Sequence, residues 1–164
     1  VKPTDLLGIL REFHREKLTM RQRHVAVARQ VSNYNANNTY QYVINREDVH
    51  LTWLESALTE LGETPATLAE PVLPALGKKA SFVPLVDQDA RDAAALVAKW
   101  RPRLAEVSHE RHRTMLNVIL GETLEQKRFF DQVAAGQEDA LGRRSNGAGS
   151  PGTGDGVLGV RWIE

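Results

Sequence analysis

The chain predicts an all-α protein built around a four-helix bundle, with a long crossover between its second and third helices. Three observations point there. Apolar residues recur at alternating spacings of three and four along several long stretches, which is the period of one helix face. The interruptions fall where Asn, Gly and Pro cluster, at residues 33–38, at residues 63–84 and after Gly136. The 164 residues suit one domain large enough to bury a continuous core.

The first helix is predicted over residues 4–32. Leu6, Leu10, Phe13, Lys17, Met20, His24, Val27 and Val31 share one face, apolar except for Lys17 and His24. Four asparagines in residues 33–38 then favour a turn, and Asn38 with Gln41 resembles a capping box opening the second helix. Gly62 is its expected stop. The inner face reads Tyr40, Val43, Glu47, His50, Leu54, Ala57, Leu61, so a glutamate and a histidine break an otherwise apolar stripe. Pro65, Pro71, Pro74, Gly77 and Pro84 prevent residues 63–84 from forming one regular helix. Asp87 or Asp89 is expected to start the third helix, which continues through Ala90, Ala94, Val97 and Trp100. Pro102 either kinks it or opens the fourth helix as its first residue. The fourth helix runs through His112, Met115, Ile119, Glu122, Phe129 and Val133 and stops at Gly136. The bundle domain is therefore residues 1–141. Residues 142–164 read as a Gly-rich linker followed by an apolar tail, Val157-Leu158-Gly159-Val160-Arg161-Trp162-Ile163, which either docks on a subunit or is a disordered end.

Composition removes several function classes. Lys plus Arg and Asp plus Glu are each 21, so no cationic surplus marks nucleic acid as a partner. The chain contains no cysteine, which excludes disulfides, thiolate metal sites, iron–sulfur clusters and cysteine nucleophiles. No apolar run approaches the roughly 20 residues that span a bilayer, so no membrane partner is expected. A cytoplasmic location is the simplest expectation, with a trimmed leader left open by the start at Val1. Phosphate-binding glycine loops, dinucleotide fingerprints and nucleophile elbows are all absent.

The remaining chemistry lies in two segments. Glu47-x-x-His50 runs on to a stop at Gly62, and Glu122-x-x-Glu125 runs on to a stop at Gly136, like a duplicated helical hairpin. Glu-x-x-His puts a carboxylate and an imidazole about one turn apart on one helix face, where the carboxylate can bridge two metal ions. Either these residues hold metal, or Glu47 and His50 form a buried hydrogen-bonded pair and Glu122 and Glu125 lie on a solvated face. His109 and His112 share a turn, but the charges around them suggest a wet surface.

With Glu47-x-x-His50 in its second helix, the hairpin–crossover–hairpin layout resembles the ferritin-like superfamily, in the style of rubrerythrin and bacterioferritin. That resemblance covers about residues 4–136. It implies a carboxylate-bridged di-iron or di-manganese centre with a redox or metal-handling role, using Glu47, His50, Glu122 and Glu125 with His24 nearby. Iron oxidation or storage, peroxide reduction and oxygen-dependent hydroxylation are activities of such folds. The sequence departs from the pattern. The residue expected opposite Glu47 is close to His24 rather than a glutamate, and the third helix offers only Asp89 and Asp92. Lys17 or Arg128 could supply a cation in the interior, as in a site that has lost its metal. The competing expectation is a non-catalytic bundle that self-associates, most simply as a dimer, or binds a partner.

Overall fold

The computed structural model describes residues 3–142. The Gly-rich stretch and the apolar segment around Trp162 lie outside the described residues. Four helices form an all-α bundle: α1 (Pro3–Ala28), α2 (Tyr34–Glu60), α3 (Val83–Leu104) and α4 (Glu110–Ala134). No described helix is long and apolar enough to cross a membrane.

Side-chain pairs give the topology. His14 faces Glu55 and Arg21 faces Asp48, so α1 and α2 are antiparallel. Arg103 pairs with Glu12, Lys99 with Glu16 and Arg23 with Asp89, so α1 and α3 are also antiparallel. Hence α2 and α3 run parallel, as a long crossover allows. Arg111 with Glu60 and Tyr42 with Phe129 set α4 antiparallel to α2. α1 packs on α2 and α3, and α4 packs on α2 and α3, leaving α1/α4 and α2/α3 as the diagonals.

Several boundaries differ from the sequence reading. Helix α2 opens at Tyr34 rather than after Asn38. Asn33 is the cap, its side chain accepting from the Ala36 N–H at 2.9 Å. Asn37 sits inside the first turn and donates to the carbonyls of Ala28 and Val31, tying the end of α1 to the start of α2. The asparagines thus clamp the hairpin without breaking the second helix. Helix α3 begins at Val83, with Pro84 in its first turn where a missing N–H costs nothing. Pro102 lies in the last turn of α3 and does not open α4, which starts after His109. The stops at Gly62 and Gly136 follow the sequence reading. Both glycines have positive φ, and the N–H groups of Glu63 and Gln137 close back onto Leu58 and Gln132, respectively.

The crossover is irregular but anchored. Glu63 takes two bonds from Arg11, the Leu68 carbonyl accepts from Gln22, Glu70 pairs with Arg29, and the Leu76 N–H donates to Gln30. It therefore runs along the outside of α1, from Arg11 to just past the end of that helix.

Two apolar clusters fill the bundle. One gathers Leu10, Phe13, Leu54, Trp100, Leu116 and Ile119. The other gathers Val27, Tyr40, Val43, Val86, Phe129 and Phe130. Burying each such side chain stabilises the fold by about 1.5–3 kcal/mol. Trp100 packs edge-on against Phe13 and donates its indole N–H to Glu16. On each helix except α3, buried polar residues separate the stretches that feed the two clusters, forming a polar layer across the middle.

Candidate functional site: a buried polar layer

Glu47 is the centre of the layer and is fully buried. It occupies the inner stripe of α2 because it falls between Ile44 and Leu51, both buried. Its Oε1 lies 2.6 Å from His24 Nδ1, and its Oε2 lies 3.5 Å from Lys17 Nζ. Lys17 and His24 sit seven residues apart on α1, two turns along the same face, and both are buried. Lys17 also donates to Thr123 Oγ1 at 3.0 Å, crossing the bundle diagonally from α1 to α4. The Thr123 hydroxyl donates its own proton to the Ile119 carbonyl, which leaves its oxygen free to accept from Lys17.

From His24 the network extends toward α3. His24 Nε2 lies 3.8 Å from Asp89 Oδ1. Asp89, fully buried, accepts from Arg23 at 2.7 Å and from the Tyr40 hydroxyl at 2.5 Å. On the other side, Glu122 takes two bonds from Arg46, at 2.7 and 2.9 Å. His50 Nε2 approaches Glu122 Oε2 to 3.0 Å, but off the direction of a hydrogen bond. Gln126, one turn beyond Thr123, is buried with neither amide atom hydrogen-bonded.

Protonation follows from these neighbours. Burial alone would lower the His24 pKa, but Glu47 and then Asp89 outweigh it and raise it. Burial alone would raise Glu47, and His24 with Lys17 holds it below the usual carboxylate range instead. Lys17 moves down because burial outweighs the pull of Glu47. His50 also moves down, through burial, although Glu122 opposes this. Burial pushes Glu122 up, yet His50 and Arg46 prevail and hold it at about 2. The Tyr40 hydroxyl is raised by burial and by Asp89, so it stays protonated and donates.

The structure brings Glu47, His24, His50 and Glu122 into or against one layer. Glu125 does not join them. It sits on the outer side of α4, within 3.5 Å of Arg128. The expected pairing of Glu47/His50 with Glu122/Glu125 is displaced by one residue, because the buried pair on α4 is Thr123-x-x-Gln126. Arg128 stays outside, over the Phe129 ring, while Lys17 reaches the interior. Sequence reasoning undervalued Asp89, which seemed too close to a helix start. It also missed His14, buried beside Glu55, and placed His112 on a wet surface although it is buried. Among the described residues, no group of three or more His, Asp or Glu side chains is arranged to hold a metal ion. Comparison with family models, with curated proteins and with solved structures finds no match to this chain.

Proposed function

We propose that this chain is a ferritin-like bundle that works without a di-metal centre, as a non-catalytic module acting by self-association or by binding a partner. One observation carries this reading: the polar layer is already close to neutral. Glu47, Asp89 and Glu122 face Lys17, Arg23 and Arg46, with His24 as a further base. A di-metal site in such a bundle uses a glutamate from each of two helices and a Glu-x-x-His from each of the other two. Here α1 offers His24, α3 offers the shorter Asp89, and α4 offers the neutral Thr123 and Gln126 with Glu122 already held by Arg46, in place of the second Glu-x-x-His. Lys17 adds an amine beside the carboxylate that would have to bridge. This donor set fits two divalent ions poorly, since added metal charge would face Lys17 and two guanidinium groups at close range.

The iron or manganese reading keeps one supporting observation. Glu47-x-x-His50 does line the layer, and both ring nitrogens of His50 lack a hydrogen bond there. Exposed Tyr34, Val72, Val118 and Leu124 provide apolar surface for the association reading. The test is metal content and solution mass of protein expressed with iron and manganese supplied and purified without chelator. The expected result is no stoichiometric metal, a melting temperature unchanged by chelator, and a mass above that of one chain. About two ions per chain, lost in Glu47→Ala, would overturn the reading in favour of a di-metal centre.

A further inference from the structure

The crossover carries a pattern of its own. Residues 63–77 are neither helix nor strand, and among the described residues no backbone group of 69–75 is in a hydrogen bond. Pro71 and Pro74 each hold φ at about −65°, and each biases the residue before it toward extended backbone. An extended chain that lacks internal hydrogen bonds and repeats every three residues has the character of polyproline II. Burial repeats with that period. Glu70 pairs with Arg29, Leu73 packs on the cluster around Val27 and Tyr40, and the Leu76 N–H donates to Gln30. Positions 70, 73 and 76 thus form one edge, laid on α1. The other two edges, Pro71 with Pro74 and Val72 with Ala75, are exposed, Val72 by 97%. A lone exposed valine is ordinary, but this one stands beside two exposed prolines on a segment already held at both ends. Lys78 and Lys79 follow in a turn, exposed, and neither forms an ion pair among the described residues.

We propose that Pro71-Val72-Leu73-Pro74 is a preformed polyproline II ligand for a partner protein whose groove is lined by aromatic rings, with acidic side chains that receive Lys78 and Lys79. This rests on the partner-binding form of the function above and names the kind of partner. The chemistry follows from the two free edges. Proline rings one turn apart, about 9 Å, and the branched side chain beside them fit between aromatic rings. The segment is ordered before it binds, so little freedom is lost on docking. Its unpaired carbonyls remain to accept from Tyr or Trp donors of the groove.

The experiment screens the full chain against an array of purified domains that recognise Pro-x-x-Pro ligands. Wild type should bind saturably and one to one, with NMR amide shifts confined to the neighbourhood of residues 69–79. The double variant Pro71→Ala/Pro74→Ala and the single variant Val72→Asp should each weaken binding by about tenfold or more. Val72→Asp leaves both prolines and the rigidity of the crossover in place, so its loss is not a folding effect. Lys78→Glu/Lys79→Glu should also weaken binding and remove its salt dependence. Val118→Asp, at an exposed apolar position on α4, should change nothing. An array in which no domain binds wild type overturns the inference, as does binding that ignores both the proline and the Val72 variants. If Val72→Asp instead turns self-associated wild type into single chains, the segment is a contact between copies, and the inference falls while the proposed function stands. Stoichiometric metal in a wild type that still binds such a domain counts against the proposed function alone.

Discussion

Glu47 holds the two basic groups of α1 in place, and removing it leaves both without their main partner. Breaking a buried pair from one side typically costs about 3–5 kcal/mol, because the remaining charge is neither solvated nor matched. Glu47→Gln should therefore destabilise the protein by about that much in urea denaturation. The loss should depend on pH. The folded-state pKa of His24 is raised, so its contribution is full below the ordinary 6.5 and fades as pH rises through the folded value. Glu47 is lowered, so its contribution is present above 4.5 and fades as pH falls through its folded value. The gap between wild type and Glu47→Gln should be widest between those two ordinary values and narrow as pH rises through the folded-state value of His24. A gap that does not change with pH would show that the His24–Glu47 charge pair contributes nothing. Charged breaks in the apolar stripes made Glu47, His50, His24 and Lys17 legible in the sequence. Thr123 and Gln126 were not legible, because neutral polar residues interrupt a stripe too weakly to mark which of two adjacent positions points inward.

Helix ends were harder to read than helices. The cap expected at Asn38 falls at Asn33 instead, and nothing local in a run of asparagines marks which of them it is. The choice was made by Asn37, whose amide reaches the end of α1 across the turn. Asp89 was misjudged for the same reason. With α3 starting at Val83, it lies well inside the helix rather than at its mouth. The start of α4 carries a device of its own. His109 caps the helix by accepting from the His112 N–H, and the two Nδ1 atoms lie 2.8 Å apart, which puts the proton between them on His112. The His112 pKa is lowered, first by burial and then by His109 and Arg111, with Glu60 opposing. Its contribution is thus present above the ordinary 6.5 and is lost as pH falls below it. Protonated His112 would put positive charge at the positive end of the helix dipole. Acidification toward pH 5 should therefore loosen the first turn of α4, seen as faster amide exchange at Glu110–Arg113 after correction for intrinsic rates. His112→Gln removes the titrating ring and leaves the His109 cap, and it should abolish the acid effect. Equal loosening in that variant would refute the role of His112.

The whole bundle pairs two hairpins that are each local in sequence, and the crossover along α1 sets the order in which they stack. The Lys17–Thr123 link belongs to neither hairpin and exists only when the two are docked. Two smooth apolar faces can slide against each other by a helical turn, about 5.4 Å, with little loss of burial. With the layer present, the same slide would part Lys17 from Thr123 and carry Asp89 away from Arg23 and Tyr40 into the apolar clusters, where an unpaired charge is strongly unfavourable. Replacing Lys17 by Met, His24 by Leu, Glu47 by Leu and Thr123 by Val together should leave stability unchanged or raise it by about 1–4 kcal/mol. The same variant should lose uniqueness, with broadened NMR signals and binding of a hydrophobic dye. Sharp native-like spectra from it would sink the idea. On loss of uniqueness without loss of stability, the buried charges act as a key between the hairpins, encoding which of several nearly equal packings the chain adopts and adding little to how tightly it holds.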